Sequence, residues 1–191
     1  CIQTGTTTEL NLADFFRLNG IGYEALPIET NDEGKENLFA GRCDVYTTDA
    51  SGLSSTRAAA SNPDKWVVLP EIISKEPLGP LVRHGDHQWG DVVRWSLNAM
   101  IIAEELGVSS ENVDAQKSSN VPEVLRLLGV EGSYGEMLEL APDWAYQIIK
   151  QIGNYSESYE ANVGPDTPLE IARGLNALWT QGGILYAPPF R

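Results

Sequence analysis

The alternation in the first 70 residues constrains this chain more than any other feature. Four runs read as strands: Cys1 to Thr4 is extended, Tyr23 to Ile28 alternates, Cys43 to Thr47 is β-branched and aromatic, and Trp66 to Leu69 follows. Helical signals separate them. Thr7 to Leu18 places Leu10, Ala13, Phe15 and Phe16 near helical spacing, and Asn19-Gly20 ends the pattern. Asn31 is placed to cap a second helix through Phe39, with Gly41 as its stop. A small-residue helix over Ser51 to Ala60 follows. Pro27 puts the second run near a sheet edge, because proline has no N–H to give to a ladder. A β-α-β-α-β-α-β order of this kind predicts a parallel sheet covered by helices.

Beyond Pro70 the pattern changes. Glu71 to Val82 carries Pro77, Gly79 and Pro80 among apolar residues and reads as an extended crossing segment. His87 to Leu106 reads as one long helix with Trp89, Val92, Val93, Trp95, Leu97, Met100 and Ile101 on its apolar side. Shorter helices are expected over Val121 to Leu128, Trp144 to Ile152 and Leu169 to Trp179. Trp144, Tyr146, Tyr155 and Trp179 stand beside apolar residues at helical spacing and read as core. Two domains follow: residues 1–78, α/β, and residues 79–191, mainly helical.

Charge narrows the partners. Thirteen Lys+Arg against 27 Asp+Glu leave −14, a surface that repels phosphate backbones and anionic membrane faces and that also serves solubility. No nucleic-acid partner is expected. No run approaches the ~18 apolar residues of a membrane span, so the chain is not expected to be membrane-inserted. It opens without an initiating methionine and without a charged region leading into an apolar one, which reads as a mature fragment or partial chain. Cys1 and Cys43 are its two cysteines, and neither belongs to a CxxC pair. Both begin expected strands, and parallel neighbours bring such positions within bridging range. A bridge closing that loop is worth about 4 kcal/mol in the chain-entropy model and implies an oxidising compartment; two buried free thiols acting as small hydrophobes are the alternative. His84 and His87 lack a third placed ligand, so no metal is expected, and no cofactor is implied.

Two turns carry the chemistry. In Thr4-Gly5-Thr6-Thr7-Thr8-Glu9 a glycine permits a tight turn, and the following amides and hydroxyls sit at the positive end of a helix. That suits a carboxylate or phosphate, although Ser/Thr capping explains the same residues. Neither a P-loop nor GxGxxG is present. Thr47-Thr48-Asp49-Ala50-Ser51-Gly52 lies at the carboxyl end of the third expected strand, where open parallel sheets bind ligands. Asp49 would then face an ammonium group while Thr6, Thr7 and Thr8 face a carboxylate, together fitting a zwitterion. A plain helix cap is again the alternative for Asp49.

The blocks CIQTGTTTELNLADFF, AGRCDVYTTDASGL, VVLPEIISKEPLGPLVRHGDHQW, DWAYQIIKQIGNY and PLEIARGLNALWTQGGILYAPPFR resemble, in order, the general L-amino-acid-binding periplasmic proteins of bacterial ABC transporters. The resemblance implies a type II periplasmic binding protein fold, two α/β lobes closing on ligand about a two-strand hinge. Residues 1–78 would form a three-layer parallel-sheet lobe two. Residues 79–191 would supply the hinge return, the helical part of lobe one and a C-terminal extension. The resemblance further implies that Thr7, with Thr6, contacts the α-carboxyl or amino region of a free L-amino acid and that Asp49 receives its α-ammonium. Delivery to an inner-membrane ABC permease is implied as well. Family members begin well before the Cys1 strand with most of lobe one, including an Arg that clamps the carboxylate, so self-association through uncovered apolar surface is also expected. A periplasmic dehydratase-like enzyme on the same fold, or the sensing domain of a receptor, is the alternative. No Ser-His-Asp order, nucleophile elbow or paired catalytic carboxylates supports an enzyme.

Overall fold

A computed structural model describes residues 1–75 and 77–190, so Glu76, within the expected crossing segment, and Arg191 lie outside the described residues. The chain divides into two units. One comprises Cys1–Leu78 with Pro168–Ile171, the other Gly79–Thr167 with Ala172–Arg191.

In the first unit β1 (Ile2–Gln3) pairs in parallel with β2 (Pro27–Ile28), Ile2 facing Pro27 and Gln3 facing Ile28. On its other side β1 meets the third run through a single parallel bridge, Ile2 to Thr47. The order across the sheet is therefore β2, β1, then the Thr47 segment. Helices α1 (Thr7–Leu18), α2 (Asn31–Phe39) and α3 (Ala50–Ala58) follow these three pieces in turn. This confirms α/β architecture with parallel pairing, but the strands are far shorter than expected. Trp66–Leu69 pairs with no strand among the described residues. Val67 and Leu69 are exposed there; β-prone residues become a strand only where a neighbouring backbone accepts them. A second correction concerns α2, whose N-cap is Thr30 rather than Asn31. Asn31 instead accepts a hydrogen bond from the Tyr46 hydroxyl at 2.8 Å. Among the described residues, Ile2, Ile28 and Tyr46 are the buried apolar side chains of this unit. Gly34 makes room for two of them: a Cβ there would stand 2.6 Å from Ile28 and 2.7 Å from the Tyr46 ring.

The second unit is built on α4 (His87–Glu105), which packs on α6 (Pro122–Leu127), α8 (Trp144–Ile152) and α9 (Tyr155–Asn162). Short turns α5 (Val113–Gln116) and α7 (Tyr134–Met137) complete it. Ala99, Ile102, Val108, Leu127, Leu128 and Ile149 are among the side chains of its continuous core. Helix α9, unforeseen in sequence, starts at a capping box: Asn154 accepts from the Glu157 N–H, and Glu157 accepts from the Asn154 N–H. The helix expected over Leu169 to Trp179 does not form. Glu170 and Gly174 take positive φ values of 51° and 48°, outside the right-handed helix. The segment folds into 3-10 turns at Gly174–Asn176 and Trp179–Gln181, with a bridge from Leu178 to Leu185. Trp179 is half-exposed, not core, and its indole N–H donates to Glu105. Trp144 is buried as expected, and Tyr146 and Tyr155 are partly buried against the core.

Candidate functional site

Three βα turns emerge at the carboxyl ends of neighbouring parallel strands, and the local chemistry of each can be compared. In the first, Gly5 takes φ +71°, a conformation that favours glycine. Thr6 is the N-cap of α1: its hydroxyl donates to the Gln3 carbonyl at 2.7 Å and accepts from the Glu9 N–H at 3.3 Å. The Glu9 carboxylate reaches back to the Gly5 N–H at 2.8 Å. The turn is latched from both sides, and Thr6 shapes it. Thr7 is exposed and Thr8 half-buried; both lie in the first helical turn, whose amides have no intrahelical acceptor.

The second turn repeats the device. Thr30 accepts from the Glu33 N–H at 3.2 Å, and Glu33 accepts from the Glu29 N–H at 2.8 Å. Both latches follow a Thr-x-x-Glu pattern legible in the sequence but not used there, a variant of the capping box in which the glutamate reaches one residue further back.

The third turn is different. Asp49 occupies the N-cap position of α3, yet its side chain makes no capping hydrogen bond. Three residues on stands Gly52, which has no carboxylate to reach back. Asp49 is half-buried, so this turn leaves its acid group outside the helix-capping role. Thr47 pairs with Ile2 while Thr47 N–H donates to the Cys1 carbonyl at 3.3 Å. The Thr6–Thr8 turn and Asp49 therefore follow adjacent strands running the same way. Burial, with smaller contributions from the Asp32 and Asp49 carboxylates, holds the Tyr46 phenol above its ordinary range.

At the amino ends of the same two strands, Cys1 and Cys43 form a disulfide with Cα atoms 5.7 Å apart. His84 and His87 are exposed in the second unit, beside Arg83, Asp86 and Arg94, around a shallow cavity of about 220 Å³. No cluster of three or more His, Cys, Asp or Glu side chains among the described residues is arranged to hold a metal ion. Nor is any helix among them long and apolar enough to cross a membrane.

No family model matches the chain. Individual relatives match it along its whole length. The glutamate/glutamine/aspartate/asparagine-binding protein BztA of Rhodobacter capsulatus is 55% identical over 192 residues, 100% of this chain and 57% of that protein. The general L-amino acid-binding periplasmic protein AapJ of Rhizobium johnstonii is 55% identical over 193 residues, with the same coverage. A putative amino-acid ABC transporter-binding protein of Escherichia coli, YhdW, is 54% identical and is covered to 56%. A solved structure, an ABC transporter periplasmic binding protein from Brucella ovis with glutathione bound, superimposes with a TM-score of 0.94 at 51% identity, covering 100% of this chain and 60% of that one. The chain thus spans a little over half the length of the proteins it matches. These relatives are named as amino-acid-binding proteins, YhdW as one of an ABC transporter, and this chain is similar to them over its whole length.

Proposed function

We propose that this chain is the greater part of a periplasmic solute-binding protein that captures free L-amino acids with broad specificity, without chemistry, and hands them to an inner-membrane ABC permease. In this reading residues 1–78 are the ligand-binding lobe two of a type II fold, a three-layer parallel-sheet lobe in the assembled protein. Residues 79–191 supply the hinge return, the helical part of lobe one and the C-terminal extension. The first-turn amides and hydroxyls of Thr7 and Thr8 address the ligand's α-carboxylate, Thr6 holds their turn in shape, and Asp49 takes the α-ammonium. Breadth follows because these groups meet only what all α-amino acids share. Self-association through uncovered apolar side chains such as Leu10, Ile72 and Leu78 belongs to the same reading.

The observation that supports it most is the Asp49 turn. Of the three α-helix starts in the first unit, it alone carries an acid at the N-cap position with no capping bond, and the Ile2–Thr47 bridge makes the segments leading to Asp49 and to Thr6 neighbours. A buried or half-buried carboxylate beside a helix N-terminus is suited to a small zwitterion. Calorimetry with L-glutamine and L-alanine on the full-length protein tests this. Saturable binding is expected, reduced at least a hundredfold by Asp49→Ala, given that a desolvated charge pair is worth several kcal/mol. Undiminished binding by that variant removes Asp49 from the site.

Glutathione is a second ligand class, favoured by the bound ligand of the Brucella ovis relative. Its γ-glutamyl end displays the same α-ammonium and α-carboxylate pair, so Asp49 would serve both. Competition between glutathione and L-glutamine for one site is the expected outcome in the same calorimeter.

A further inference from the structure

The two seams of the small sheet are built unequally. Between β1 and β2 the backbone is bonded on both sides of Gln3, by Ile2 N–H to the Leu26 carbonyl and Thr4 N–H to the Ile28 carbonyl, each 3.0 Å. Gln3 adds a side-chain bond to the Glu29 carbonyl at 2.9 Å, and the Thr4 hydroxyl donates to the Ile28 carbonyl at 3.3 Å. That seam is tied as far as its carboxyl end. The seam between β1 and the Thr47 segment has one residue pair, Ile2 with Thr47, and two backbone bonds, from the Cys1 nitrogen to the Val45 carbonyl at 2.6 Å and from the Thr47 N–H to the Cys1 carbonyl at 3.3 Å. This shorter seam is the one that separates the strand leading to the Thr6–Thr8 turn from the segment leading to Asp49. The Cys1–Cys43 disulfide lies directly across it.

We propose that the disulfide is a positioning element of the ligand site: it fixes the spacing between the strand leading to Thr7 and the strand leading to Asp49, so that ligand affinity depends on the oxidised state. The inference rests on the reading of those residues as one binding site. A cross-link usually stabilises by limiting the unfolded chain, which leaves the affinity of folded molecules untouched. Here the cross-link also adds a covalent tie across the shorter seam in the folded state. Reduction by a dithiol takes two electrons and two protons into the pair of cysteines, leaves two thiols and converts the reagent to its cyclic disulfide. The seam then has its one residue pair, two backbone bonds and the packing of Tyr46 to hold it. Preorganisation is lost, and both turns must be brought back into register at the expense of binding energy.

The test measures Kd for L-glutamine on the full-length protein in three forms, below the unfolding transition of each, with circular dichroism showing that the molecules are folded. These are the oxidised protein, the Cys1→Ser/Cys43→Ser variant, and reduced protein whose two thiolates have each displaced a bromide from 1,3-dibromoacetone. The last closes the same loop with a longer bridge. Folded variant and bridged protein are both expected to bind on the order of tenfold more weakly than the oxidised form, as lost preorganisation predicts, with the bridged form regaining thermal stability. Should the serine variant fail to fold, the bridged protein decides alone. An unchanged Kd in either folded form overturns the proposal and leaves the proposed function standing, provided Asp49→Ala still abolishes binding. Oxidised protein that binds neither L-glutamine nor glutathione overturns both.

Discussion

The two units reach stability by different means. The second buries a contiguous set of side chains, from Ala99 on α4 to Phe190 near the chain's end. Phe190 alone meets Trp95, Tyr134 and Trp144 with ring centroids 5.3, 5.5 and 6.0 Å away, while Arg126 donates to its carbonyl at 3.1 Å. The first unit buries Ile2, Ile28 and Tyr46 and leaves Leu10, Leu18, Val67 and Leu78 exposed. It compensates with a covalent tie, two glutamate-latched turns and the Arg57–Glu170 ion pair at 2.7 Å. The lesson is that the first unit is held by local devices at its turns, whereas the helical unit is held by apolar area. A disulfide contributes most where a core contributes least.

Mutations can break or sharpen that contrast. Phe190→Ala has the largest expected effect, about 4 kcal/mol from lost burial and the cavity left behind. Native-state hydrogen exchange should show the loss in amides of the helical unit, with those of the first unit unmoved; equal loss in both would erase the distinction. Gly34→Ala comes next. The added methyl must displace Ile28 or Tyr46, costing about 2 kcal/mol by overpacking, and here exchange should rise in α2 and β1. Smallest is the acid limb of the helical unit. Burial pulls the Glu157 carboxyl upward, but hydrogen bonds from the Ser110 hydroxyl and N–H and the Asn154 N–H outweigh it and hold the group below its ordinary range. Its folded value being the lower one, its contribution is present above the ordinary carboxylate range and is lost as pH falls through the depressed folded value. Urea midpoints from pH 7 downward should therefore decline less steeply in Glu157→Gln than in the parent protein; identical slopes would show that the network has no weight.

Much of the helical content was legible because its signals are local. Helices α1 and α8 start and stop where spacing and caps place them, Thr6 and Asn19 bounding the first. The Thr-x-x-Glu patterns at Thr6 and Thr30 were equally readable. The segment from Leu169 to Trp179 has apolar residues at helical spacing too, but it is occupied with distant partners. Arg173 pairs with Glu104 at 3.1 Å between nearly buried side chains and stacks over Tyr155 and Tyr159, and such contacts override propensity. Trp66–Leu69 fails as a strand for the complementary reason: a suitable sequence without a neighbouring backbone has nothing to pair with.

From the sequence alone came the acidic charge, the order of the three βα pieces, the Thr6 cap and the candidate acid at Asp49. These are properties of composition or of residues within a turn or two of each other, where sterics and hydrogen bonding act without help. Tertiary structure decided which cysteine fate was real, which strands pair, and that the Asp49 carboxylate is not spent on its own helix. The pairings depend on groups far apart in the chain: Ile2 with Pro27 and Thr47, and Cys1 with Cys43 at a separation of 42. No local preference encodes them; the chain must first close its loops and bury Ile2 against Ile28 and Tyr46.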